Sequence, residues 1–517
     1  MNKDLVKAVF DYLIILFSGL FDRDYYLKAY PDVRKAHFGP LWHFVCFGWK
    51  EYRNPSLKFN TGSYLFQNQD IDRVGINPLV HYILHGINEN RYTNLDMSEI
   101  GKFLFRFLKI IKMNKDTLRL ETLSFYQLDS ELKKKLLSTH FMLSISQDNY
   151  LEVVGGIQMT IADEQTFTNN KAIDYLHIFP RFPRNNQFDN YNMVSVGVNL
   201  NGEFLGYVTT SNFLEIIENL VLQKSSEVVV HHLMGYRIDF VYQLLKIFNN
   251  SSKRFWLHDL FSVCPNYFLL RNHISYCGAP TIESNSCFIC SYYDIRKKTI
   301  PEIHNLLDLE GIEIVAPSEY IFSFWCEKTD YHYDRVSIIS HARLEWNGYE
   351  PVNSDYSQIR VAFVGSPMFH KGWDDFKALS DELKNTKEYL FYLLSSQNKR
   401  GEFKWIDVSV SKTDRFKMIK ELKNNNIDIA ILWSICPESY SYSLYESLSA
   451  GCFIITNPYS GNIQNYIKDN PEKGLVLENY DELLEKFVTK EIFGFVKEYQ
   501  KKGKPQAQMV LRFQGLQ

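Results

Sequence analysis

VAFVGSPMFHKGWDDF (Val361–Phe376) and ILWSICPESYSYSLYESLSAGCFIITNP (Ile431–Pro458) bound the stretch whose reading decides the fold. The first passes from strand residues through a glycine-bearing turn into a helix. Just ahead of the second, Ile427 to Trp433 has the length and composition of a buried strand. The helix that follows puts Tyr442, Glu446 and Ala450 on one face. Glu438 and Glu446 stand eight apart across the loop and the start of that helix. The pattern predicts a site at the carboxyl end of a parallel sheet, where open α/β folds bind ligands.

Working outward, YLFYLLSS, FKWIDVSVS and GLVLEN read as further strands, each followed by a helix or loop, so 349–490 is expected to be one mostly parallel α/β domain. The segment 150–348 reads as a second domain of the same class. Gly155-Gly156 after LEVV is a candidate ligand-approach loop, and Asn201-Gly202 between VSVGVNL and EFLGYVTT is a hairpin signal. SSEVVVHHLMG and KRFWLHDLFSVCP give apolar strands ending in His231-His232 and His258-Asp259. His232 and His258 are therefore candidate site residues, with Asp259 as a helix cap over a packed histidine as the plainer alternative. Arg343 lies near the boundary, where PVNSDYS reads as the hinge, and is a candidate phosphate partner. Residues 491–517 are expected to form a crossover helix and tail.

At 517 residues the chain exceeds what one hydrophobic core supports. A net charge of -3 lacks the basic imprint of a nucleic-acid partner. The N-terminal apolar run Tyr12–Phe17 is too short to span a bilayer and lacks a cleavage signal, and eight cysteines in so long a chain do not make a disulfide scaffold. A cytoplasmic protein is expected. Within 1–95, Phe21–Arg53 aligns without gaps on Phe59–Arg91, matching Tyr26 with Tyr64, His43 with His81 and Gly48 with Gly86, so a duplicated helical module is predicted. The linker 96–149 includes Gly101–Leu120. Its phenylalanines and isoleucines can form a helical stripe among lysines, fit either to pack on the next domain or to lie on an anionic inner-membrane surface.

Four cysteines cluster in the first α/β domain: Cys264, Cys277, Cys287 and Cys290. The Cys287-x2-Cys290 knuckle with two outlying thiols has the spacing of a structural zinc site; free buried thiols and redox chemistry are the other readings.

The FVGSPMFHKGW loop, the Glu438-x7-Glu446 spacing, the Ala450-Gly451 pair and the PYSGN turn, in that order, resemble retaining nucleotide-sugar-dependent glycosyltransferases of the family 4 group. The duplicated module resembles ones attached to bacterial surface-polysaccharide (O-antigen or capsule) glycosyltransferases. HDLFSVCP resembles the His-Asp-aromatic segment of the same group. The resemblance implies two Rossmann-like domains facing a cleft (GT-B), with the acceptor on the first. It also implies a nucleoside-diphosphate sugar donor, a glycan or lipid-linked glycan acceptor, and no catalytic metal. Lys371 then neutralises the departing phosphate, helped by the Gly365-Ser366 turn. Glu438 lies by the transferred sugar, Glu446 accepts from ribose hydroxyls, and Ser439, Tyr440 and Ser441 donate backbone N–H groups. One departure stands out: Ser366 occupies the place where such loops carry an arginine, leaving Arg343, Arg360 or His370 to compensate. A non-catalytic glycan-binding or assembly protein, and an epimerase or phosphorylase on the same fold, stay open at this point.

Overall fold

The computed structural model describes residues 3–30, 33, 39–51, 53–68, 71, 76–87, 122–181, 195–351, 357–409 and 414–513. The chain divides into two compact units after Glu121. The stretch Gly101–Leu120 and most of the expected hinge lie outside the described residues.

In the first unit the duplication has a packing cause. Helices Pro40–His43 and Pro78–His81 each run into a widened π turn, Phe44–Gly48 and Tyr82–Gly86. Tyr26 Oη bonds His43 Nδ1 at 3.1 Å, and Tyr64 Oη bonds His81 Nδ1 at 2.9 Å. A Cβ on Gly48 would stand 2.0 Å from Tyr26 Oη, and one on Gly86 2.3 Å from Tyr64 Oη. Tyrosine, histidine and glycine thus form one device used twice. Both copies contribute to a single apolar cluster, including Phe44 and Tyr64, so each buries the other's apolar face.

The second unit opens with helix Phe125–Lys135, started by a Ser124/Gln127 capping box. Next come β1 (His140–Ile145), β2 (Asp174–Pro180), β3 (Ser195–Leu200), β4 (Glu203–Thr209), β5 (Ser225–Val230) and β6 (Ser252–Trp256). A small hairpin, β7 (Leu270–Arg271) with β8 (Ser275–Tyr276), precedes β9 (Ile312–Ala316) and β10 (Arg335–Ile338). The sheet order is β10-β9-β6-β5-β1-β2-β3-β4. It is parallel except that β3 runs against both neighbours. The β3–β4 turn has Asn201 at φ 51° and Gly202 at φ 86°, the positive pair a type I′ hairpin demands. β1 lies before residue 150, where the sequence reading opened this domain. HFMLSI is apolar without alternation, and so short a run does not separate strand from buried helix.

β11 (Ala342–Glu350) then leads to β12 (Ile359–Val364), β13 (Tyr389–Ser395), β14 (Lys404–Asp407), β15 (Ile429–Ile431), β16 (Phe453–Thr456), β17 (Gly474–Val476) and β18 (Lys504–Leu511). The second sheet, β14-β13-β12-β15-β16-β17, is parallel throughout. Counted from β12, that is the doubly wound order 3-2-1-4-5-6, with its switch point between β12 and β15. β18 pairs antiparallel with β11, a strand where the sequence reading saw a tail. The residues just after it cross back to the first sheet, with the Arg512 guanidinium 4.9 Å from the Trp256 ring centre. Two Rossmann-like domains therefore face a cleft, the GT-B arrangement, with a helical region preceding them in sequence.

Candidate active site

A cavity of about 590 Å³ opens at the second sheet's switch point. The first domain contributes Gly155 and Gly156 to its wall; the second contributes Gly365, Ser366, Lys371, Glu438, Tyr440, Ser441 and Glu446. β12 ends in Val364, and Gly365 turns the chain at φ 107°. Lys371 closes a short 3-10 turn, Phe369–Lys371, ahead of Gly372 at φ 76°. Gly372 admits no side chain: a Cβ there would meet the Trp433 carbonyl oxygen at 2.1 Å. That close approach seats the lysine loop on the strand that delivers Glu438.

Lys371 Nζ donates to Glu438 Oε1 at 2.5 Å, and Ser434 Oγ donates to the same oxygen at 2.9 Å. The Glu438 backbone is clamped by the PYSGN turn. It pairs with Gly461, and Asn462 N–H donates to its carbonyl at 2.9 Å. Gly461 sits at φ 63°, where a Cβ would lie 2.6 Å from Glu438 backbone atoms, so this turn requires glycine. Burial raises the Glu438 carboxyl, but the Lys371 ammonium outweighs it and holds it below its usual value. Burial likewise lowers Lys371, and the same carboxylate reverses the effect. The pair is charged, and each charge keeps the other in place.

Glu446 lies on helix Tyr442–Ser449, whose Ser441 cap accepts from the Leu444 N–H at 3.3 Å. Its carboxyl is buried, and burial pushes it up to about 7 against a partly compensating Arg415. That helix start, with its free N–H groups, is suited to an anion. Ser439 turns away from the cavity: its hydroxyl donates to the His258 carbonyl, and its own carbonyl accepts from Ser318 Oγ at 2.7 Å. Tyr440 Oη spans the Ala342 backbone, donating to its carbonyl and accepting from its N–H, both at 2.9 Å.

The structure brings Gly365, Ser366, Lys371, Glu438, Tyr440, Ser441 and Glu446 together and leaves the histidines outside the cavity lining. His232 Nδ1 accepts from Met234 N–H at 2.9 Å, so its Nε2–H donates to Asp259 at 2.5 Å, and both ring nitrogens are occupied. His258 is buried in a stack with Trp256 and His341, its Nε2 bonded to His231 Nδ1 at 2.9 Å. The candidate compensators for the missing arginine are also elsewhere. Arg343 is 59% exposed and pairs with Glu345, Arg360 pairs with Asp428, and His370 stacks on Phe268 with ring centres 4.1 Å apart. Sequence reasoning gave no role to Ser434 or Arg415. Ser434, four residues before Glu438 at a strand end, carried a signal; Arg415, within SKTDRFK, carried none.

Cys264, Cys277, Cys287 and Cys290 surround one small cavity of about 20 Å³ that Arg296 also lines. The Arg296 guanidinium donates to Cys287 Sγ at 3.2 Å and to the Pro280 carbonyl at 2.7 Å, stapling the insertion. Among the described residues, no three of His, Cys, Asp and Glu are grouped to hold a metal ion. No helix among them is long and apolar enough to cross a membrane.

No protein-family model matches the chain, and no curated protein matches it by sequence. Solved structures resemble it in fold. Sucrose-phosphate synthase from Thermosynechococcus elongatus aligns over 71% of this chain and 93% of its own at 11% identity and TM-score 0.46. A glycosyltransferase from Rickettsia africae aligns over 70% and 91% at 14% identity and TM-score 0.43. WaaG, a glycosyltransferase involved in lipopolysaccharide biosynthesis, aligns over 70% and 94% at 12% identity and TM-score 0.42.

Proposed function

We propose that the cavity holds a nucleoside-diphosphate sugar and that the chain transfers its sugar, with retention, to a glycan or lipid-linked glycan acceptor in surface-polysaccharide synthesis. One observation carries the reading: Lys371 and the Glu438/Glu446 pair, more than sixty residues further along the chain, line one cavity at a doubly wound switch point. In the proposed reaction the bond from the anomeric carbon to the diphosphate oxygen breaks, a bond to an acceptor hydroxyl oxygen forms, the hydroxyl proton passes to the departing diphosphate, and until it arrives negative charge grows on the departing oxygen. Lys371 and the N–H groups at the start of helix Tyr442–Ser449 stabilise it. Glu438, freed from Lys371 by the arriving phosphate, faces the sugar. Glu446 accepts from vicinal ribose hydroxyls, which a carboxylate meets with two oxygens. The Glu-x7-Glu resemblance supports retention. Incubation with a panel of nucleotide sugars, followed by thermal shift, donor hydrolysis and NMR of the product anomer, tests the reading. Neither binding nor turnover of any donor would sink it.

Ser366 in place of the expected arginine favours a second reading, a binding-only protein, which donor binding without hydrolysis or transfer would establish. Two narrower proposals come with the first. The 101–120 stretch associates with the inner face of the membrane, and deleting 101–115 should then reduce recovery in the membrane fraction. The four-cysteine insertion takes up structural zinc, and metal-free protein with four freely alkylated thiols removes that proposal.

A further inference from the structure

Among the described residues, Lys371 and Arg415 are the two cationic side chains in the cavity lining. Arg415 lies between β14 and helix Lys417–Asn424, and its side chain is only 14% exposed. Its Nη2 donates to Asp163 Oδ2 at 2.6 Å, across the cleft, on helix Gly156–Asn170 of the first domain. One stripe of that helix faces the second domain. Gly156 lies under the Tyr442 ring, Thr160 Oγ1 is 3.2 Å from Tyr442 Oη, and Asp163 holds Arg415. Tyr442 is the first residue of the helix whose N-terminus faces the cavity, and Arg415 acts electrostatically on both Tyr442 and Glu446. The guanidinium therefore stands beside the helix start, near the ribose-binding carboxylate.

We infer that Arg415 is the second cation for the donor's diphosphate, supplying from another loop the charge that Ser366 does not, and that Asp163 is a positioning residue that holds it across the cleft. The inference rests on the donor reading above. A nucleoside diphosphate brings two or more negative charges into a cavity where Lys371 is already paired with Glu438. A single contact to Asp163 through Nη2 leaves Nε and Nη1 to meet phosphate oxygens. Because Asp163 belongs to the other domain, the same pair ties phosphate binding to the contact between the two domains.

Calorimetric titration of the full chain with UDP, GDP and ADP, and with the matching nucleosides, tests this. For whichever diphosphate binds, R415A should weaken affinity roughly ten- to hundredfold, the range for losing a charged hydrogen bond, and weaken nucleoside affinity by a clearly smaller factor, the part that comes from losing its charge beside Glu446. R415K should recover only part of the diphosphate affinity, because it keeps the charge but not the fork that meets Asp163 and phosphate together. D163N should weaken that affinity by about threefold, with a smaller loss at high salt, where the ion pair is already screened. The swap D163R with R415D restores the ion pair, so its melting temperature should return to wild type while diphosphate affinity does not. Wild-type affinity in R415A, or restored diphosphate binding in the swap, overturns the assignment of Arg415 alone. A wild-type chain that binds none of the three diphosphates overturns the donor reading and this assignment with it.

Discussion

The carboxyl edges of the two sheets gather ionisable groups in opposite ways. At the second sheet, Lys371 remains 38% exposed beside Glu438 on an open cavity. At the first, Glu164 is 2% exposed and accepts from Tyr175 Oη at 2.9 Å and from His231 Nε2 at 3.0 Å. One assignment of protons satisfies this chain: His258 Nε2–H donates to His231 Nδ1, and His231 Nε2–H donates to Glu164. Trp256, His258 and His341 stack over it, and His341 lies against Tyr442 with ring centres 6.0 Å apart. Burial alone would raise the Glu164 carboxyl, but His231 and two arginines bring it down to about 2. The two domains share a topology. Where loops leave room, charges form a site; where rings fill the space, similar charges form a scaffold.

Breaking the closed side should have the larger effect. Glu164→Ala leaves the Tyr175 hydroxyl and the His231 Nε2–H without an acceptor and should cost about 2–5 kcal/mol of stability, the range for orphaning two buried donors, measured by urea unfolding. A loss under 1 kcal/mol would mean that the polar chain contributes little to folding. On the open side, Lys371→Ala or Glu438→Ala should lower turnover about 10²–10³-fold, the effect of removing one preorganised electrostatic group. Melting temperature should stay near wild type, since the pair is partly solvated. Initial rates on the donor found by the panel decide this.

Acid should weaken the closed side by a route of its own. Burial pulls His341 down to about 3 and His258 well below its ordinary value, with neighbouring positive charge adding to the effect. Unfolded histidine takes a proton near pH 6.5, so the unfolded state binds protons that the folded state refuses. Stability should be full above about pH 6.5 and fall by roughly 1 kcal/mol per pH unit per ring below it. The Glu164 contribution has a lower window: complete above about 4.5, it is lost as pH drops toward 2. Unfolding midpoints across pH 8 to 4 that stay flat would show these rings to be protonated in the fold.

The open side was the more legible one in the sequence, for a physical reason. Tight turns that bring the chain against a cavity need glycines at positive φ, so Gly365, Gly372, Gly461 and the glutamate pair leave fixed spacings. That the second sheet is parallel followed from apolar runs separated by helices; its strand order is read only from the fold. The closed side left no comparable spacing. His231, His258 and Glu164 meet only because β5, β6 and helix Gly156–Asn170 are neighbours in the folded sheet, so strand-end histidines read as site residues when their rings are in fact enclosed. The Tyr-His-Gly device of the N-terminal repeat could be read because duplication printed it twice. β18 was missed because its partner β11 lies more than 150 residues away, and Arg415 because a lone arginine in a polar loop has no pattern.

The sharpest remaining contrast between the two sides is the pH response of Glu446. It is buried like Glu164, but among the described residues Arg415 is the one cation that acts on it. Arg415 acts on it only partly, being bonded to Asp163, and burial leaves the carboxyl near 7. Below that pH the group is protonated and offers one fewer acceptor to a pair of ribose hydroxyls; above it, both oxygens accept. Nucleoside affinity should therefore rise with pH, by about tenfold between pH 6 and 8 if binding needs the carboxylate. Glu446→Gln should bind weakly and lose most of that slope, because an amide does not titrate. Titrating the nucleoside rather than the diphosphate keeps phosphate ionisation out of the measurement. A slope that persists in Glu446→Gln would assign the titration to another group and leave Glu446 as an ordinary buried acid, which would make the two sheet edges more alike than their geometry implies.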